Sequence, residues 1–166
     1  VIAPNLFIKR SRQRTQRRSV STVKFQRPDT DDAYAAGDVI GTTAGSVLRF
    51  RECGSGGTVT SAKVLIEAET TGDLALLLFD ACPLPAPEDN AALAFDMDMG
   101  SSLVGRIPLP GSAKKEMATD VWLYDAGTLR LPFLSSDGAL YGVLLTEGEL
   151  APTEAGIVLV RIGIDP

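Results

Sequence analysis

The chain has 166 residues, 45% of them hydrophobic and 22% charged, with 16 Gly and 10 Pro; that is enough for one domain with a sizeable core, rich in turn formers. Two cysteines and no histidine rule out Ser-His-Asp and Cys-His catalysis and leave too few ligands for a zinc site, and no apolar run approaches the roughly 18–20 residues needed to cross a bilayer. The formal charge of −5 combines two unlike segments: up to Arg27 there are eight bases and no acid, and beyond it the other eight of the 16 bases face all 21 acids, a net of −13.

The first element is therefore an arm, residues 1–22, set against a body, residues 23–166. The arm opens with the apolar residues Val1, Ile2, Leu6, Phe7 and Ile8, then turns strongly basic at Lys9, Arg10, Arg12, Arg14, Arg17 and Arg18. A signal peptide has the opposite order, charge before a longer apolar run, so no targeting signal is read. Lys9 to Ser19 contains no apolar residue and cannot fold by burying its own surface. Three readings are open for it: a solubilising tail, nucleic-acid binding through phosphate neutralisation, and docking onto an acidic protein surface. The apolar tip suits protein docking better than phosphate binding, and resembles a plug on a basic tether. Leu6, Phe7, Ile8, Lys9, Arg10, Arg12, Arg14, Arg17 and Arg18 are the candidate partner-binding residues. Nucleic acid ranks below protein as the partner.

From Val20 onward the hydrophobic spacing is mostly two and the runs are short, which predicts strands. Val23 and Phe25 alternate with Lys24 and Gln26 up to Pro28, which cannot donate to a ladder. A loop precedes the short strand Val39-Ile40, and Ser46 to Cys53 reads as a half-exposed strand. After the Gly54 to Gly57 turn, Thr58 to Glu69 places Thr60, Ala62, Val64, Ile66 and Ala68 on one face. Leu74 to Phe79 is apolar on both faces, as a central strand would be. Pro83, Pro85 and Pro87 make Ala81 to Asn90 irregular, and Asn90 to Met99 holds the one plausible helical turn. Strands follow at Leu103 to Leu109, Val121 to Tyr124 and Thr128 to Phe133, the last two forming either a hairpin or one kinked strand. Leu140 to Thr146 and Ile157 to Ile164 complete the set, and both are assigned to the core. Eight to ten strands without βαβ alternation predict an all-β fold, an antiparallel β-sandwich or jelly roll with an extended basic N-terminal arm; a small closed barrel is the alternative.

No chemistry is legible. The Gly54 to Gly57 run lacks the Lys-Ser/Thr of a phosphate cradle. Asp29, Asp31 and Asp32 share a loop but lack the ligand spacing of a calcium loop; Asp96 and Asp98 suit a helix start. No carboxylate pair is selected for glycoside hydrolysis, and aromatics for stacking sugars are few. Trp122 reads as core or interface, and Cys53 and Cys82 as reduced, partly buried thiols with pairing left open. The chain is expected to be non-enzymatic, with no cofactor and no metal.

The run Val23-Lys24-Phe25-Gln26-Arg27-Pro28, then Ala33-Tyr34-Ala35-Ala36-Gly37-Asp38-Val39-Ile40-Gly41, resembles the opening of a family of small tailed-phage structural proteins. Ser61 to Ile66, Leu76-Leu78-Phe79-Asp80, Asp89-Asn90-Ala91-Ala92 and Leu103 to Pro108 are similar in order. The resemblance implies a capsid decoration (cement) protein with a β-sandwich body, bound to the major capsid protein across capsomer seams, trimeric, located on the virion surface and assembled in the host cytoplasm. The long basic arm departs from the family pattern. Alternatives are a head-tail connector or tail component, a virion-displayed carbohydrate-binding module, and an internal nucleic-acid-associated protein.

Overall fold

The computed structural model describes residues 18–28, 32–42, 44–153 and 155–166. Twelve strands, all paired antiparallel, carry most of it: β1 (Ser19–Gln26), β2 (Val39–Ile40), β3 (Leu48–Phe50), β4 (Gly56–Thr71), β5 (Leu74–Phe79), β6 (Leu103–Leu109), β7 (Lys115–Ala118), β8 (Val121–Asp125), β9 (Leu131–Leu134), β10 (Leu140–Thr146), β11 (Leu150–Pro152) and β12 (Ile157–Asp165). One short helix, α1 (Met97–Ser102), precedes β6. Sheet I runs β1-β12-β4-β8-β7, with β9 and β11 also on β4; sheet II runs β2-β10-β5-β6, with β3 also on β10.

The topology is that of a jelly roll. β2 and β3 pair successively along β10, and β9 and β8 successively along β4. With each set, and likewise β11 and β12 along β4, counted as one interrupted strand and the short edge strand β7 set aside, the sheets read 1-8-3-6 and 2-7-4-5. The chain changes sheet at every step except from the fourth strand to the fifth, the winding of two Greek keys. The sandwich expected from the spacing is therefore present, and its topology is fixed.

Alternation builds the core. On β12, Val158, Val160, Ile162 and Ile164 are fully buried, and on β4 so are Ala62, Val64, Ile66 and Ala68. They meet Leu74, Leu76 and Leu78 of β5 between the sheets. Fully burying one such leucine contributes about 1.5–3 kcal/mol. Gly105 on β6 lies under this layer because Leu131 of the opposite sheet comes within 2.7 Å of where a β-carbon would sit.

Several details depart from the sequence reading. Thr60 does not share the inward face: the register with β12 shifts between Gly163 and Ile164, so Val59 points into the core instead. A β-bulge of this kind moves every residue beyond it to the other face. Of the two readings left open for β8 and β9, the kinked strand holds and the hairpin does not: both lie along β4 as one strand interrupted at residues 126–130, where Ala126 N–H donates to the Ala62 carbonyl and Leu129 N–H to that of Thr60. The first strand starts at Ser19 rather than Val23, with Ser19 to Thr22 paired to β12. The helical turn falls at Met97–Ser102, later than expected, and the strand predicted over Ser46 to Cys53 contracts to three residues.

Candidate docking surface

Of the arm residues singled out by sequence, Leu6, Phe7, Ile8, Lys9, Arg10, Arg12, Arg14 and Arg17 lie outside the described residues. Arg18 lies within them: its guanidinium Nε is 3.0 Å from the Asp165 carboxylate at the end of β12, and its side chain is largely exposed. The arm therefore leaves the body beside the β1–β12 edge.

The most distinctive surface was not singled out by sequence. Between β5 and β6 the chain leaves sheet II for residues 80–102 and lies over that sheet's outer face. Its fixing points follow from the residues it offers. Met99 and Leu93 drop onto Leu77, Phe79, Val39 and Val143, the outward apolar residues of the sheet. This is why β5 is apolar on both faces: all six of its residues are buried. Backbone hydrogen bonds tie the excursion down: Val39 N–H to Ala91 O at 2.9 Å, Asn90 N–H to Val39 O at 2.9 Å, and Asp80 N–H to Ser102 O at 2.9 Å. The Asp96 carboxylate caps α1 by accepting from Met99 N–H at 2.8 Å, the role expected of Asp at a helix N-cap.

With Met99 turned inward, the intervening side chains point out. Phe95 is 48% exposed, Met97 89% and Leu84 70%. Leu103, at the start of β6, is exposed beside them. The Phe95 ring lies over Gly100. The same stretch contains Asp80, Glu88, Asp89, Asp96 and Asp98 and no Lys or Arg. Large apolar side chains left exposed among acids along one stretch mark a candidate interaction surface.

The lower part of the excursion is anchored by a buried polar network. Arg27, only 2% exposed, donates from Nε to the Tyr34 hydroxyl at 2.9 Å and lies over the Tyr34 ring. The Tyr34 hydroxyl donates to the Asp89 carboxylate at 2.8 Å, and Gly41 N–H donates to the same carboxylate at 2.7 Å. Burial drives the Tyr34 hydroxyl far above its ordinary pKa of 10.0, against the pull of the neighbouring Arg27. Arg27, which in sequence belongs to the basic run, is thus a core residue. The charge pattern alone had no means of separating it from its neighbours.

Beside this network opens a cleft of about 580 Å³ lined by Asp32, Thr42, Glu88 and Asp89 among others. Asp29 and Asp31 of the acidic loop lie outside the described residues. Asp89 is committed to Tyr34 and Gly41, and among the described residues no group of three or more His, Cys, Asp or Glu side chains is placed to hold a metal ion. Cys53 is buried and Cys82 exposed, and both are free thiols; burial pushes the Cys53 thiol up. Trp122 packs against the core, donates from its indole N–H to Ala68 O at 3.0 Å and carries Lys114 over its ring.

Compared with known proteins, the chain matches no protein-family model and no curated protein.

Proposed function

We propose that this chain is a virion structural protein that decorates and cements a tailed-phage capsid, holding the major capsid protein across capsomer seams through its N-terminal arm and its β-domain. The observation that carries this reading is that Leu84, Phe95 and Met97, three large apolar side chains, are left exposed on the excursion of a jelly roll with its own buried core. A finished core has no use for these side chains, so their partner lies outside the domain. The ordered resemblance from Val23 onward supports a shell-binding role, and the basic arm adds a second attachment that gains strength through effective concentration. In this reading the protein sits on the outer shell as a homotrimer, is assembled in the host cytoplasm, and needs no cofactor.

The deciding experiment is a density map of the purified virion with the copy number measured by quantitative mass spectrometry. Copies that scale with the number of capsomers support a cement protein. Copies confined to the unique vertex make it a connector or tail component instead.

A further inference from the structure

We infer that the outer surface of the 80–102 excursion is the dock for the basic tether, Lys9 to Arg17, of a second copy of this chain. The inference goes beyond shell binding and holds for the free protein. It leaves the apolar tip, Leu6 to Ile8, and the exposed Leu84 for the shell, while Phe95, Met97 and the acids beside them face the neighbouring copy's tether.

Charge complementarity comes first. The tether has five bases, Lys9, Arg10, Arg12, Arg14 and Arg17, and no acid; the excursion has five acids and no base, and four of those acids are left once Asp89 is held by Tyr34 and Gly41. Glu88, Asp96 and Asp98 are exposed, interleaved with the exposed Phe95 and Met97. That mixture suits arginine in particular: its planar, weakly hydrated guanidinium stacks on an aromatic face while forking to a carboxylate. A tether lacking apolar residues therefore still covers an apolar patch.

Position comes second. Ser19 pairs with Ile164, Ile164 with Val59, and Val59 with Leu131. The Leu131 side chain lies on Gly105, two residues along β6 from Leu103. The arm thus leaves the sandwich at the same end as α1 and Leu103. Within one copy, the short way from Ser19 to the excursion passes β3, which lies beside β1 and carries Arg49, paired with Asp137, and leads to the exposed Arg51. That path takes the tether's bases past Arg51, whereas a neighbour's tether approaches the excursion from solvent. Nine extended residues reach about 30 Å. Arm onto excursion is a heterologous contact, the kind that closes into a ring such as a trimer when the rotation permits.

The test uses the full-length chain with p-benzoylphenylalanine in place of Gln13. Nitrogen-15-labelled and unlabelled protein are mixed, irradiated at low salt and mapped by mass spectrometry. Mixed-isotope cross-links from position 13 to residues 84–98 are expected, falling at least fivefold in the doubly substituted E88Q/D98N chain, which leaves the Asp96 cap intact. Circular dichroism of that variant checks that it folds. Cross-links within one copy only, cross-links to sheet I, or no cross-link at all would each overturn the inference. Unchanged cross-linking in E88Q/D98N would also overturn the inference, whatever its effect on shell binding, which tests the capsid reading separately.

Discussion

The two broad faces of the sandwich solve the same problem in opposite ways. Sheet I leaves its outer face to solvent: the row Lys24–Leu159–Leu65–Leu123–Lys115 crosses it with three half-buried leucines between two lysines. Sheet II hides its outer face beneath the excursion, through Leu93 and Met99. An uncovered face tolerates alternation of apolar and charged residues, whereas a covered one requires apolar residues throughout. The second face of a strand therefore records whether something lies on top of it.

That contrast is open to direct attack. Leu76→Ala, deep between the sheets, should cost about 3 kcal/mol in chemical denaturation, while Leu65→Ala on the open face of sheet I should cost under about 1 kcal/mol. Equal losses would erase the distinction. Met99→Ala removes the plug under the excursion and should cost about 2 kcal/mol, with faster amide exchange confined to residues 80–102; faster exchange across β12 as well would mean that the cover and the sandwich are one cooperative unit. Tyr34→Phe leaves Arg27 and Asp89 short of a partner and should destabilise by about 1–3 kcal/mol. Because the folded state holds the Tyr34 hydroxyl protonated above its ordinary value of 10.0, the wild type should lose stability as pH rises past that value, and Tyr34→Phe should lose that part of the alkaline slope. The smallest effect belongs to sheet I. Lys63 sits 2.8 Å from Asp125 and holds its carboxyl below the ordinary 3.8. That contribution is complete above 3.8 and fades as pH falls through the lower folded value, so Asp125→Asn should slightly flatten the acid limb of a stability–pH curve.

How much of this was legible depends on how local each signal is. The inward faces of β12 and of β4 from Ala62 onward follow from alternation alone, and β5 announces its double burial in the run Leu74-Ala75-Leu76-Leu77-Leu78-Phe79. The run could not say what covers it, because Leu93 and Met99 reach β5 only through the tertiary fold. The bulge at Thr60 is set by the register with Gly163 and Ile164 of β12, far away in sequence. β7 escaped notice because all four of its residues are exposed, leaving no alternation to read. Arg27 misled for the same reason in reverse: its partners, Tyr34 and Asp89, are brought together by two separate loops. The excursion's own signal, five acids without a base between residues 80 and 102, was available as a charge count but gains meaning only once Met97 and Phe95 are known to face outward.

The pairing of β1 with β12 also governs the order in which this molecule becomes whole. Among the described strands, β12 is the only partner of β1 and the one farthest from it in sequence. A growing chain therefore carries Ser19 to Gln26, an eight-residue strand with both edges bare, through synthesis of nearly everything that follows. Such a strand is an invitation to pair with another nascent chain. The dense positive charge of the segment that holds it, eight bases and no acid up to Arg27, repels the same segment of a neighbouring chain.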